Sequence, residues 1–207
     1  MKTYIILLLA TGLVCSCRDV NNAVAVTDTN TDSSIAQPAT TANKSSAESI
    51  FLLPDSFTTQ NEKNFVLSSL AGKPTIMAMI FTHCTYACPR ITMDMKNIAE
   101  KLKANREKVN FVLVTFDADR DTPLQLRKFR NQMELDPSWI LLHGSDETVR
   151  TLSVLLNVQF EKDAEGNFSH SNLITVLDKN GSVAFQKEGL EADHTETLEK
   201  INQLITK

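Results

Sequence analysis

Thr75-Ile76-Met77-Ala78-Met79-Ile80-Phe81-Thr82-His83-Cys84-Thr85-Tyr86-Ala87-Cys88-Pro89 is the stretch on which the reading of the chain turns. Residues 75–81 form a continuously apolar run, as expected of a strand buried on both faces of a sheet. Pro89 sits at the start of a helix whose Ile91, Met95, Ile98 and Leu102 recur at spacings of 4, 3 and 4, one apolar face. The loop between strand and helix holds two cysteines separated by three residues. Helix starts carry a partial positive charge and unpaired amides, both of which favour thiolate over thiol, so both sulfurs are expected to be activated. Three intervening residues let the sulfurs converge, either as a disulfide or as two ligands of one metal. A plain structural disulfide would close so small a loop that it constrains little of the unfolded chain.

Downstream, Val109 to Phe116 is a second buried strand, and Thr122 caps a helix that opens on Pro123 and faces inward with Leu126, Phe129 and Met133. Trp139 to Leu142 is a short strand. Ser145 caps a helix with Asp146 and Glu147 at its positive end and Val149, Leu152 and Leu156 inside. Asn172 to Leu177, the turn Lys179-Asn180-Gly181, and Ser182 to Gln186 read as a hairpin, and Leu198, Ile201 and Ile205 mark a terminal helix. Upstream, Val66 to Leu70 is a short strand or turn. The order predicts an α/β protein whose helices cover a central sheet.

The whole chain has 207 residues, 42% apolar and 22% charged, with a net charge of −4, which excludes collagen, a coiled-coil rod and a multi-pass membrane protein. No basic stripe appears, so a nucleic acid partner is excluded as well. Residues 1–17 carry Lys2 and the apolar run Tyr4 to Val14. At about 1.5 Å per residue that run reaches roughly half the ~30 Å of a bilayer core, which predicts a signal peptide and an exported protein. Val14-Cys15-Ser16 before Cys17 resembles a bacterial lipobox, implying lipidation of Cys17 and anchoring in the bacterial cell envelope. Residues 18–49 contain no Leu and no aromatic residue and are expected to be a disordered tether reaching roughly 30 Å. Residues 50–207 remain as one domain.

Cys15 leaves with the signal and Cys17 takes the lipid, so Cys84 and Cys88 are left to pair. His170, in Phe168-Ser169-His170-Ser171, stands at the start of the strand running to Leu177. If that strand is antiparallel to residues 75–81, His170 and the two thiols share one sheet edge. His83, His143 and His194 are expected to be structural or solvated. Asp117-Ala118-Asp119-Arg120-Asp121-Thr122-Pro123 borders the same edge, because ligand sites in open α/β sheets lie beyond the carboxyl ends of the strands. Asp121 and Thr122 read as helix caps, and Asp119 and Arg120 as a solvated pair.

These three motifs, with Val176-Leu177-Asp178-Lys179-Asn180-Gly181 following the histidine, resemble the Sco/SenC family in order and spacing from about Ile50 to Lys207. The resemblance implies a thioredoxin-like fold, with a central mixed sheet flanked by helices. It also implies copper held by Cys84, Cys88 and His170, Asp117 as a nearby residue affecting copper handling, and a part in assembling the dinuclear copper site of cytochrome c oxidase. Thr85 and Ser169 stand where family members often carry Pro and Asp, which bears on the surroundings of the imidazole. No proline follows Pro137, so the cis-proline usual opposite thioredoxin cysteines has no counterpart.

Two thiolates and an imidazole are a soft set of three, suited to one copper ion per chain in either oxidation state; structural zinc would want a fourth protein ligand. Met93 and Met95 lie one turn into the helix, but Met95 belongs to its apolar face. The leading expectation is a membrane-tethered copper chaperone serving a copper-receiving cytochrome c oxidase subunit or another copper protein. The alternative is a thiol-disulfide reductase that uses Cys84 and Cys88 without His170. A peroxidase would need one thiolate beside Thr and Arg, and Thr85 and Arg90 are near, but Cys88 fits pairing better.

Overall fold

The computed structural model describes residues 49–206 except 189 and 191; the signal-peptide, lipobox and tether expectations lie outside the described residues but for Ser49. The elements are β1 (Ser56–Thr59), β2 (Asn64–Val66), β3 (Thr75–Ile80), α1 (Ala87–Lys101), β4 (Asn110–Thr115), α2 (Pro123–Gln132) and β5 (Ile140–His143). There follow α3 (Asp146–Leu155), β6 (Phe160–Lys162), β7 (Phe168–His170), β8 (Leu173–Leu177), β9 (Val183–Glu188) and α4 (Thr195–Thr206). Seven strands form one mixed sheet in the order β2-β1-β5-β4-β3-β8-β9, while β6 and β7 form a separate two-stranded ribbon.

The centre of the sheet follows from the apolar runs. Every residue of β3 is buried, as are residues 111–115 of β4, because helices cover both faces of a parallel core. β3 runs parallel to β4, and β4 to β5, while β8 lies antiparallel to β3 with Thr75 opposite Leu177 and Ala78 opposite Ile174. The antiparallel pairing expected for the strand after His170 is therefore present. The carboxyl ends of β3, β4 and β5 and the amino end of β8 gather at one edge. Met95 is fully buried in the core and Met93 is exposed, so Met95 fills space as its place in the apolar face required.

Helix starts follow their caps. The Thr122 side chain accepts from the Gln125 amide, and that of Ser145 from the Thr148 amide. At the opposite pole the β8–β9 turn is built by the Asp178 side chain, which accepts from the Asn180 and Ser182 amides, and by Gly181 at φ +83°. A Cβ at 181 would stand 2.6 Å from the Phe51 ring, so glycine is required for space as well as for φ. The chain enters the domain here: the Ile50 amide donates to the Gly181 carbonyl at 3.0 Å, and the Ser49 hydroxyl bonds the Asn180 carbonyl.

Three features depart from the sequence reading. Residues 56–66 form an additional hairpin, β1–β2, at the sheet edge; Val66 ends β2 and Leu67–Leu70 is a 3-10 turn. His170 does not begin the strand that runs to Leu177. It closes β7 of the separate ribbon, because Ser171 bonds back to Gln159 instead of joining the sheet. Asp121 does not cap α2, as described below.

Candidate metal centre

The sulfurs of Cys84 and Cys88 and one ring nitrogen of His170 lie within 4.8 Å of one another. Cys84 sits in the loop after β3 and is half-buried; Cys88 is the second residue of α1 and is fully buried. Tyr86, at the N-cap, provides no side-chain cap. Cys84 supplies one instead: the Cys88 amide donates to its sulfur at 3.4 Å. The Phe81 amide points in from β3 and donates to the Cys88 sulfur, also at 3.4 Å. His170 arrives from the ribbon with Nε2 3.8 Å from the Cys88 sulfur. Its Nδ1 donates to the Ser171 carbonyl at 3.1 Å, which fixes the tautomer and leaves the Nε2 lone pair facing the thiols. That carbonyl does what a carboxylate neighbour would have done, so Ser169 costs the imidazole no orienting partner.

The two thiols are not equivalent, which corrects the expectation that the helix start activates both. The hydrogen bond with the Cys88 side chain, aided by the Cys88, Tyr86 and Ala87 amides and opposed by partial burial, lowers the Cys84 pKa to about 4. The same bond raises the Cys88 pKa far above the ordinary thiol value, reinforced by burial and by the negative charge of Cys84 and Asp121, with the Phe81 amide opposing. The site therefore presents one accessible thiolate and one buried thiol that holds its proton.

Rings enclose the imidazole. Phe116 lies 5.1 Å from it and Phe81 6.0 Å, edge-on; Phe160 stacks on Phe116 at 5.0 Å, and Phe168 closes on Phe81 and Phe116 at 5.1 and 5.0 Å. This cluster joins the ribbon to the sheet. Sequence reasoning missed it, although Phe160 and Phe168 flanking the turn-forming Asp163-Ala164-Glu165-Gly166 were a hairpin signal.

Thr122 caps α2 as expected, but the charged residues before it depart from their reading as a cap and a solvated pair. Asp121 is fully buried and accepts from the Thr82 amide at 2.8 Å, the Thr82 hydroxyl at 2.5 Å and the Thr115 hydroxyl at 2.6 Å. It ties the Cys84 loop to the end of β4, a tertiary task that its position before Thr122 concealed. Arg120 pairs with buried Asp117, and Asp119 pairs with Lys162 at 2.8 Å. His83 Nδ1 stands 3.5 Å from Asp121, so His83, Asp117 and Asp121 approach one another. The oxygens of Asp121 are already engaged by three donors and Asp117 by a guanidinium, which makes this group structural.

The remaining candidates fall away from the thiols. His143 ends β5, and buried His194 lies 3.6 Å from Asp94 of α1. The Arg90 guanidinium stacks over the Tyr86 ring at 3.9 Å.

The chain matches the SCO1/SenC family over residues 43–206. It belongs to that family. Among its relatives, a protein of Stutzerimonas stutzeri named for copper binding is 31% identical over 60% of this chain and 62% of its own length. A SCO1/SenC family lipoprotein of Bacillus anthracis is 27% identical, with a TM-score of 0.67 over 72% of this chain and 92% of that one. BsSco, described as a member of the Sco family of cytochrome c oxidase assembly proteins with a disulfide switch, is 25% identical, with a TM-score of 0.64 over 73% and 91%. The thioredoxin-like SCO1/SenC fold sets the loop between β3 and α1, with its two cysteines, at the sheet edge where β7 delivers His170.

Proposed function

We propose that this domain binds one copper ion through Cys84, Cys88 and His170 and hands it to another protein during assembly of the copper centre of cytochrome c oxidase. The observation that carries the reading is the convergence of two sulfurs and an imidazole Nε2 on one point, within 4.8 Å. The donors are soft, and three of them leave a coordination position through which an acceptor's thiol can enter and exchange. Cys84 offers a thiolate without prior proton loss, and Ser171 holds the imidazole in the ligating tautomer. The relatives named for copper binding and for oxidase assembly support the same cargo and destination.

The His170→Ala variant tests it. Its copper affinity is expected to fall at least about tenfold, with folding retained, because even the loss of an outer partner of a metal ligand costs 10–100-fold. An unchanged titration contradicts the ligand set.

The pairing of an accessible thiolate with a buried thiol also favours a second reading, a thiol-disulfide reductase. Cys84 would attack a partner disulfide and Cys88 would resolve the mixed disulfide, leaving Cys84 and Cys88 oxidised and the partner's cysteines reduced. His170→Ala separates the two, since it should abolish neither step of that exchange.

For localisation we infer a lipid-anchored protein of the cell envelope, on the strength of the Val14-Cys15-Ser16-Cys17 motif and of the Bacillus anthracis relative's description as a lipoprotein. Among the described residues no helix is long and apolar enough to cross a membrane. Cys17→Ser in the full chain is expected to move the protein from the membrane to the soluble fraction with copper binding unchanged; membrane retention contradicts lipid anchoring at Cys17.

A further inference from the structure

The ribbon that carries His170 is not part of the seven-stranded sheet. It pairs at only three positions, Phe160 with His170, Glu161 with Ser169 and Lys162 with Phe168. A two-stranded hairpin of this size is marginal by itself, so its placement depends on what it is fastened to. One fastening is the aromatic cluster, which is apolar and only weakly directional.

The other fastening is polar and sits at the tip. The Arg120 guanidinium bonds through Nε to the Asp117 carboxyl and through a terminal nitrogen to the Gly166 carbonyl. Asp117 has no exposed side-chain surface, and its Oδ1 has no hydrogen-bond partner among the described residues; Lys162 Nζ stands 3.8 Å from that oxygen. Lys162, itself on β6, reaches back to Asp119 at 2.8 Å. The loop after β4 is thus clamped to the ribbon by one planar cation that spans a buried carboxyl and a backbone carbonyl, a two-point grip suited to the fixed, spaced donors of a guanidinium and not to the compact point charge of an ammonium.

We propose that Arg120 is a positioning residue that latches the tip of the β6–β7 ribbon to the β4–α2 loop and thereby holds His170 against the two sulfurs. The idea rests on the copper reading for its consequence, and on the metal-free protein for its geometry. Asp117 is then the base of the latch and acts on His170 through Arg120.

Two measurements on the Arg120→Gln variant test the latch. Without copper, backbone amides of residues 160–170 are expected to exchange with solvent about tenfold faster than in the unaltered protein, while those of β3 and β4 keep their rates. With copper(I) titrated against a chromophoric competitor, affinity is expected to fall about fivefold to tenfold. The same substitution placed on the His170→Ala background is expected to cost nothing further, because residues that act through one another are not additive. Ribbon amides that keep their exchange rates overturn the proposal, and so does an equal affinity loss on both backgrounds.

If Arg120→Gln fails to fold, Arg120→Lys keeps a cation beside Asp117 and should still free the ribbon tip, since it gives up the second contact; unchanged ribbon exchange in a folded Arg120→Lys protein likewise overturns the latch. Should the unaltered protein bind no copper, the function proposed above fails, and the exchange measurement still decides the latch.

Discussion

Copper titrated into a Cys88→Ala variant is expected to bind more than about 100-fold more weakly than to the unaltered domain, a loss beyond the 10–100-fold typical of outer partners. Two effects combine. One of three donors is gone, and Cys84 loses the hydrogen bond that contributes most to its low pKa. Its thiol then rises toward the ordinary value and must give up a proton before it can ligate. Alkylation by iodoacetamide reads the second effect separately: Cys84 should react readily at pH 5–6 in the unaltered protein, where its pKa is about 4, and slowly in the variant. The same asymmetry sets the pH dependence of loading. Between about pH 5 and 7 Cys84 is already a thiolate while Cys88 holds its proton, so binding must release the Cys88 proton. Affinity therefore falls as pH falls, by at least about tenfold per unit. A flat profile, or a Cys88→Ala protein that binds normally, removes Cys88 from the ligand set.

The second large effect is on stability. Asp121→Ala deletes a fully buried acceptor that satisfies the amide and hydroxyl of half-buried Thr82 and the hydroxyl of buried Thr115. Leaving buried donors unmatched costs about 3 kcal/mol, which for a domain of this size lowers the melting temperature by roughly 6–12 °C. Because Thr82 leads directly into the cysteine loop, copper affinity should fall as well. Thermal unfolding measures the first consequence; a melting temperature within 2 °C of the unaltered protein, at about the shift expected from less than 1 kcal/mol, would mean that the three bonds are not worth their count.

The parts of this protein that were legible in its sequence are those where one local pattern has one outcome. A continuous apolar run can only be the buried β3, a threonine before a proline is a cap, and two cysteines before a helix must share an end of it. The placement of His170 near the thiols followed from strand direction and from the family likeness, and its approach to Cys88 fits both. What stayed hidden depends on partners far along the chain. The strands β6 and β7 have three residues each, too few for alternation to register, and their stability comes from Phe81 and Phe116 on the sheet. Asp121 looks like a cap because its neighbours in sequence are cap-like, whereas its actual donors lie 6 and 39 positions away. The inequality of the thiols was illegible for a related reason: a helix start treats both alike, and only their mutual hydrogen bond and the burial of one divide them.

Ser49 and Ile50 are stitched to the turn between β8 and β9, and the sulfurs sit beyond the opposite ends of the same strands. Ser49 thus stands at the base of the domain, with the sulfurs at the other end of the sheet. Substitutions next to Ser49 are therefore expected to leave the arrangement of the two sulfurs and the imidazole as it is.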